Sequence, residues 1–231
     1  AVARATREVE STATEEARIE STATAQAVAS AIAPATHTAQ AVAFEERRAE
    51  AEIITQQLEA QATQVFGPSA GALDHKTDNT PTCAATGLVM HNFIASARLY
   101  NPYSAAQHPW DHGITFSNEG EDTHYSLLLR SSGQYALKLA GPAFHIELNE
   151  TTDLLDLSRP GDNTLKLYLH DDVAYIYLNN LYADTIPLRD MSLGQTTATN
   201  HHPQLCTNLD EGSALEGTAT RYEDFTVWTL P

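Results

Sequence analysis

The chain has 231 residues, which is enough for one ordinary domain with an extension or for two small domains. Its 30 Asp and Glu against 13 Lys and Arg give a formal net charge of -17, which would repel a nucleic acid or an anionic membrane surface. No run of about 18 apolar residues could span a bilayer, and the first residues lack the basic start and apolar core of a signal peptide, so an exported protein would be in its processed form.

Residues 1–66 have the composition of a helix. They contain no glycine and one proline, and the good helix formers Ala, Glu, Gln and Arg dominate. Pro34 predicts a kink, or a junction of two helices, within one long N-terminal helix. Larger apolar residues follow an eleven-residue spacing, which keeps them on one side of a helix. This assembly stripe consists of Val9, Ile32, Val42, Ile53, Ile54 and Val65.

The segment ESTAT occurs twice, at residues 10–14 and 20–24, and raises the alternative of a flexible low-complexity stalk. An Ala-rich stripe buries little surface by itself, so an ordered helix of this kind needs a packing partner. We expect self-association, as a coiled coil, a bundle or a filament core. Packing of the helix against the chain's own second domain is the alternative.

Composition changes after Gly67, where Gly, Pro, Asp and Thr accumulate up to Cys83. We expect a linker over residues 67–84 and a β-rich head over residues 85–231. In the head, Gly and Pro separate short runs rich in Tyr, Phe, Leu, Ile and Val. Leucines alternate with other residues in LKLYL, residues 165–169, as in a strand with one face on a core. The pattern predicts an all-β sandwich or barrel.

Cys83 and Cys206 are the only cysteines in the chain. An even count fits a single disulfide in an oxidising compartment, and two unrelated buried thiols are the alternative. Neither residue belongs to a Cys-x-x-Cys pair, which argues against a zinc site. We therefore expect an extracellular or cell-surface protein from which an upstream export signal has been removed.

Four segments resemble the jelly roll of concanavalin A-like lectins and glucanases: ASARLYNPYSAAQHPWDHGITFSNE, HYSLLLRSSGQYALKL, NTLKLYLHDDVAYIYLNN and GTATRYEDFTVWTL. Within that family the chain is most similar to the laminin-G-like or keto-disaccharide-hydrolase-like domain of bacterial surface proteins, which often follows an Ala/Thr/Gln-rich stalk. The resemblance covers about residues 67–231. It implies the fold, but no single activity, because this fold carries binders, hydrolases and structural modules.

The resemblance would imply an enzyme only if paired carboxylates faced each other across a cleft. The retaining glucanases of the family carry Glu-x-Asp-x-x-Glu or Glu-x-Asp-x-Glu on one strand, and neither motif occurs here. In ELNETTDLLD the acidic residues Glu147, Glu150, Asp153 and Asp156 are three apart, which scatters them over both faces of a strand. We therefore expect no catalytic residues, with an unrecognised hydrolase constellation as an alternative.

Aromatic and polar residues converge in the segment NPYSAAQHPWDHG. Tyr103 and Trp110 could stack on a sugar ring, with Asp111 and His112 as hydrogen-bonding partners. The alternative is that Trp110 fills the core where this loop enters the next strand. The segment therefore predicts a glycan-binding site or a core contact.

The segment YIYLNN ends in Asn179 and Asn180. In the family that the chain resembles, the corresponding strand turns through Asn-Gly, and the Asn helps to hold the turn or the rim of a binding face. Two Asn residues still permit the left-handed turn, so the hairpin is expected, whereas the analogy to ligand binding is weaker.

These features predict a non-enzymatic extracellular structural or adhesion protein that assembles through its N-terminal helix, as a filament or surface-appendage subunit, and displays a jelly-roll head. The alternative is a glycan-binding lectin module on an oligomeric stalk. The expected partners are further copies of the chain and surface glycans, without a membrane span or nucleic acid. No cofactor is expected. Calcium is the alternative, because acidic loops such as NEGED offer oxygen ligands, but no complete calcium-binding motif occurs.

Overall fold

The computed structural model describes residues 40–76, 78, 80–118, 124–141, 144–191 and 200–231, without the side chains of residues 117, 118, 144 and 190. Val9, Ile32, Pro34 and the ESTAT repeat lie outside this part of the chain. The chain divides between Ala49 and Glu50 into two units. Helix α1 covers residues 40–61, and no helix in the described part is both long and apolar enough to cross a membrane.

The second unit is a sandwich of two antiparallel sheets, which confirms the prediction of an all-β head. In chain order the described strands are β1 (Thr63–Asp74), β2 (Thr82–Ala85), β3 (Phe93–Tyr100), β4 (Asp111–Asn118), β5 (His124–Arg130), β6 (Gln134–Gly141), β7 (Phe144–Thr151), β8 (Asp162–His170), β9 (Val173–Leu178), β10 (Leu181–Pro187), β11 (His201–Thr207) and β12 (Ala219–Thr229). Sheet A has the order β1-β12-β3-β8-β9-β10, and sheet B has the order β2-β11-β4-β5-β6-β7.

The core lies between the two sheets and is built from alternate residues of each strand. Its fully buried side chains, at 0% exposure, include Ile114, Leu127, Leu137, Leu167 and Ile176. Burying one such side chain stabilises the fold by about 1.5–3 kcal/mol. The alternating leucines of LKLYL are part of this core, as the period-two pattern predicted.

Strand β1 occupies much of the segment that we expected to be a linker. Residues 67–74 pair with β12, and residues 82–85 form β2 at the edge of sheet B. Gly67 has φ +80°, and a Cβ atom at this position would lie 2.1 Å from the carbonyl oxygen of Phe225. The glycine therefore permits a close approach within the sheet, together with register shifts along β1. The glycine and proline residues that suggested a linker therefore belong to an irregular edge strand.

The predicted disulfide is confirmed. Cys83 of β2 and Cys206 of β11 are bonded, face each other in the strand register and have Cα atoms 4.1 Å apart. The bond fastens a four-residue edge strand to its neighbour and closes a sequence separation of 123 residues. It therefore restricts most of the head in the unfolded chain.

Within the second unit, α1 residues 50–61 lie on the outer face of sheet A, the face turned away from sheet B. Ala51, Thr55 and Leu58 are buried there at helical spacing, with exposures of 1%, 4% and 6%. The hydroxyl groups of Thr55 and Tyr177 are 2.9 Å apart and hydrogen-bonded. This part of the helix thus packs on its own domain, which was the alternative interpretation of the helical segment.

The members of the assembly stripe that the structure describes lie on other sides of α1 or outside it. Ile53 is 60% exposed and Val42 is 53% exposed, whereas Ile54 is half-buried. Val65, 43% exposed, belongs to β1 and not to a helix, because the helix ends at residue 61. Self-association through the stripe stays a prediction.

The substitution Ile53→Asp tests this self-association. Sedimentation velocity should show oligomers for the full chain and a monomer for the variant, because the new charge would lie unpaired in an apolar contact between copies. Gln57→Asp, an equally exposed change on the same helix, should leave the oligomer intact. A wild-type chain that sediments as a monomer at micromolar concentration would contradict the prediction.

Candidate functional site

Tyr103 and Trp110 do not form a sugar platform on the surface, because each is only 1% exposed. The hydroxyl group of Tyr103 donates to the carbonyl oxygen of Ser213 at 2.5 Å. The ring of Trp110 stacks on His112, with centroids 4.8 Å apart and planes inclined by 14°. Neither ring presents a face to solvent, so the structure supports the alternative in which Trp110 is a core residue.

Asp111 and His112, the proposed hydrogen-bonding partners of a sugar, are buried as well. The carboxylate of Asp111 accepts the backbone N–H groups of Leu209 at 2.8 Å and Asp210 at 2.9 Å. Burial raises the pKa of Asp111, although these hydrogen bonds act in the opposite direction. Burial, with a smaller effect of His75, lowers the pKa of His112 to about 3. Both residues hold the core and the loop after β11 and cannot reach a ligand in solvent.

Asn179 and Asn180 form the turn between β9 and β10, as the hairpin prediction required. Their φ angles are 51° and 66°, in the left-handed region that Asn tolerates. The side chain of Asn179 accepts the N–H of Thr164 at 2.8 Å and donates to the carbonyl oxygen of Leu154 at 2.7 Å. Asn179 therefore fastens the turn to a neighbouring loop and is already fully engaged.

Sheet B carries a network of four charged side chains on its outer face, which we call the sheet B charge cluster: Arg130, Lys138, Glu147 and Asp210. Arg130 lies 2.7 Å from a carboxylate oxygen of Glu147 and 2.6 Å from one of Asp210. Lys138 lies 3.6 Å from Glu147 and also contacts Asp210. Sequence reasoning missed the cluster because Asp210 comes from the loop after β11, far along the chain from β7.

The two carboxylates of the sheet B charge cluster are held in their ionised form. Burial alone would raise the pKa of Glu147, but hydrogen bonds from Arg130 and His145 outweigh it and lower the pKa to about 2. Asp210 is affected in the same way, since hydrogen bonds from Arg130 and Lys138 lower its pKa against the effect of burial. A glycosidase pair needs one protonated carboxylic acid, so Glu147 and Asp210 do not match that role in this arrangement.

A pocket of 190 Å³ lies on the outer face of sheet A, at the end of α1. Trp228 of β12 and Ile94 of β3 are direct neighbours in the strand register. Lys166 of β8 lies opposite Ser96, two residues further along β3. Trp228 is half-buried, in contrast to the buried Trp110. We call this cavity the Trp228 pocket; its lining residues are Glu59, Ala62, Ile94, Lys166 and Trp228.

The Trp228 pocket brings together groups of different chemistry. The carboxylate of Glu59 accepts hydrogen bonds from the ammonium group of Lys166 and the hydroxyl group of Tyr168. Burial would raise the pKa of Glu59, but these two hydrogen bonds lower it, so the carboxylate is ionised. An indole, a carboxylate and an ammonium group thus border one small cavity, which suits a ligand with an apolar face and several hydroxyl groups.

A second pocket, of 380 Å³, lies near the end of the chain and lacks this combination of groups. Its lining is mostly apolar: Val65, Leu88, Val89, Met90, His91, Asn92, Thr229, Leu230 and Pro231. In the described part of the chain, no three His, Cys, Asp or Glu side chains are arranged to hold a metal ion. The acidic segment NEGED lies largely outside that part, so the calcium alternative stays untested.

No family model matches the chain, and no curated protein matches it in sequence. Three of the similar solved structures are a Crh5 transglycosylase in complex with NAG, a laminarinase catalytic domain from Thermotoga maritima MSB8 and the carbohydrate-binding module CBM66 from Bacillus subtilis. The transglycosylase has a TM-score of 0.50 and 9% identity, over 74% of this chain and 79% of that chain. The laminarinase has a TM-score of 0.49 and 8% identity, over 72% of this chain and 80% of that chain. CBM66 has a TM-score of 0.48 and 10% identity, over 72% of this chain and 94% of that chain.

At these identities the likeness shows the fold alone, a concanavalin A-like jelly roll, which confirms the fold that the four resembling segments implied. One expectation has to be corrected. The similar Crh5 transglycosylase structure is that of an enzyme with this fold, so the prediction of a non-enzymatic protein is contradicted. The missing glucanase motif is no ground for excluding activity on a fold that carries catalysis.

Proposed function

We propose that this protein binds carbohydrate through the Trp228 pocket. The observation that carries the proposal is the position of a half-buried indole beside an ionised carboxylate and an ammonium group. Aromatic rings offer an apolar surface with a defined stacking geometry, and convergent polar groups fix the orientation of a bound ligand. The fold supports the proposal, since the similar transglycosylase structure is a complex with NAG.

The size and charge of the site narrow the class of ligand. Pockets that enclose drug-sized molecules have volumes of about 300–1,000 Å³, so a pocket of 190 Å³ suits a single sugar residue. The net charge of -17 disfavours polyanionic glycans through long-range repulsion. Lys166 does not reverse this, because Glu59 neutralises it. We therefore propose a neutral sugar as the ligand, at the end of a chain or as a free unit.

The covalent chemistry of the protein supports a proposal about its location. The bond between Cys83 and Cys206 is of a kind that forms and persists in oxidising environments. A glycan-binding protein with such a bond fits the cell surface or the extracellular space, where glycans are exposed. We propose this location for the chain.

The substitution Trp228→Ala should weaken sugar binding by tenfold or more, because it removes the apolar wall of the pocket. The experiment starts with a glycan array on the full chain and continues with calorimetry on the strongest neutral ligand. Since Trp228 is half-buried on the outer face of the sheet, urea unfolding should show that the variant keeps its fold.

Tyr100→Ala is the matched control for this substitution. Tyr100 is an aromatic residue on the same face of sheet A, but it lies outside the pocket, beneath Arg221 at 3.9 Å. This variant should bind the sugar as the wild type does. Equal loss of affinity in both variants, or no loss in either, would remove the Trp228 pocket as the binding site.

A further inference from the structure

The Trp228 pocket is one end of a larger aromatic surface. The strand register aligns Trp228, Ile94, Tyr168 and Tyr175 in one row across β12, β3, β8 and β9. Neighbouring strands are about 4.8 Å apart, so this row extends over about 14 Å. Three of its four members are aromatic, and of these three only Trp228 borders the open pocket.

The next row of the same face adds two more tyrosines. Lys166, Tyr177 and Tyr182 are opposite one another on β8, β9 and β10. The ring of Tyr177 makes edge contacts with the rings of Tyr168 and Tyr182, with centroid distances of 5.4 Å and 5.8 Å. We call the set of Trp228, Tyr168, Tyr175, Tyr177 and Tyr182 the aromatic face.

The composition of the aromatic face differs from that of the core on the other side of the same strands. The inward residues of β8 and β9 are aliphatic, as in Leu167 and Ile176, whereas the outward aromatic residues of these strands are tyrosines. Tyrosine combines a large apolar ring with a hydroxyl group and is enriched where proteins recognise partners. A surface of this kind suits a ligand that offers both apolar faces and hydroxyl groups.

Residues 50–61 of α1 cover most of the aromatic face through both apolar and polar contacts, and Ala51 and Leu58 supply the buried apolar ones. Thr55 bonds to the hydroxyl group of Tyr177, and Glu59 bonds to Lys166 and to the hydroxyl group of Tyr168. Within this segment, Leu58 is the one large aliphatic side chain that is fully buried. Each of these hydrogen bonds is one that a sugar hydroxyl group could replace. An isolated helix of this length is marginal in water, so the segment depends on the contact to stay helical.

We infer that the aromatic face is the binding surface for a neutral oligosaccharide, and that residues 50–61 of α1 occupy this surface in the free protein. The inference rests on the proposed function, because the Trp228 pocket is the part of the face that α1 leaves open. A single sugar binds at the pocket, whereas a longer chain binds along the rows only when the helix moves away. The apparent affinity for the oligosaccharide is therefore proportional to the fraction of molecules in which the helix has left the face, and it is low because that fraction is small.

Leu58→Asp in the full chain tests the inference. The variant places a charge at a position that is 6% exposed, so the helix should leave the face. Calorimetry with neutral hexasaccharides of glucose and of N-acetylglucosamine should show at least a tenfold gain in affinity over the wild type. Hydrogen exchange at residues 50–61 should become faster. Gln57→Asp adds the same charge at the neighbouring exposed position and should change neither quantity.

A milder variant keeps the test decisive if Leu58→Asp does not fold. Thr55→Val preserves the shape of the side chain and removes the bond to Tyr177, so a smaller gain in the same direction is expected. If the wild type binds single sugars through Trp228 but neither variant gains affinity for hexasaccharides, the inference is overturned and the proposed function stands. If the variants gain affinity and Trp228→Ala does not reduce it, the pocket assignment fails, and only the part of the inference that concerns the tyrosines beneath the helix stands. Absence of any sugar binding in all proteins overturns both.

Discussion

Reduction of the Cys83–Cys206 disulfide is expected to lower the free energy of unfolding by about 5 kcal/mol. The bond spans 123 residues, and the loss of loop-closure entropy from the unfolded chain grows with that length. Domains of ordinary stability have about 5–15 kcal/mol in total, so the change is a large fraction of it. Urea unfolding of oxidised and reduced protein, followed by circular dichroism, measures the difference.

The double substitution Cys83→Ser with Cys206→Ser separates the cross-link from packing. The reduced wild type keeps both sulfur atoms, including the Cys206 sulfur that lies 3.2 Å from the hydroxyl group of Thr115. The reduced wild type and the serine variant should therefore lose similar stability if the cross-link dominates. Oxidised and reduced proteins with the same urea midpoint would show that the bond does not stabilise the head.

The sandwich could be predicted from the sequence because the head obeys a local rule. Residues on one face of each strand are apolar, and the spacing of LKLYL and of similar segments reports this without any long-range information. The boundary at residues 67–84 could not be predicted in the same way. Gly67 is a turn residue by composition, but here it allows β1 to pass close to Phe225, a contact that only the pairing with β12 creates.

The sequence left two interpretations of Trp110 open, a sugar platform and a core contact, and the structure supports the core contact, because Trp110 is buried and stacks on His112. The sequence analysis did not single out the other tryptophan, Trp228. Trp228 stands in the strand segment FTVWTL, where Phe225 and Val227 face the core. The alternation of Trp228 with these core residues was the available signal, because it places a large aromatic side chain on the outer side of the strand.

The Trp228 pocket itself could not be predicted from the sequence. Its walls come from the end of α1, from β3, from β8 and from β12, and no local pattern links these segments. The same holds for the sheet B charge cluster. Glu147 and Asp210 both contact Lys138 only because β7 and the loop after β11 lie on one face of the sheet. The spacing of apolar residues predicts which face of a strand or helix is buried. A binding site depends in addition on which strands and helices become neighbours in the fold.

Two buried histidines at opposite ends of the core make stability depend on pH. His112 and His201 are 0% and 1% exposed, and their ring nitrogens have no hydrogen-bond partner among the described residues. Burial lowers the pKa of His112 to about 3 and that of His201 to about 4, where the charge of Asp172 acts in the opposite direction. Both values lie below the value of about 6.5 for a histidine in an unfolded chain. The neutral form is therefore the one that the fold accepts.

Through these two histidines, lowering the pH from 7.5 to 5 is thus expected to reduce the free energy of unfolding by about 4 kcal/mol. The unfolded chain takes up a proton at each histidine below about pH 6.5 and the folded chain does not, so each group costs about 1.4 kcal/mol per pH unit. The stabilising carboxylate Glu147, with a pKa of about 2, loses its contribution only at lower pH. Urea unfolding of His112→Phe, which keeps a ring against Trp110, should show a pH dependence that is smaller by about 2 kcal/mol. Trp110→Phe disturbs the same stack without removing a titrating group, so this variant should keep the full pH dependence of the wild type. Equal stability of the wild type at pH 7.5 and pH 5 would contradict the prediction.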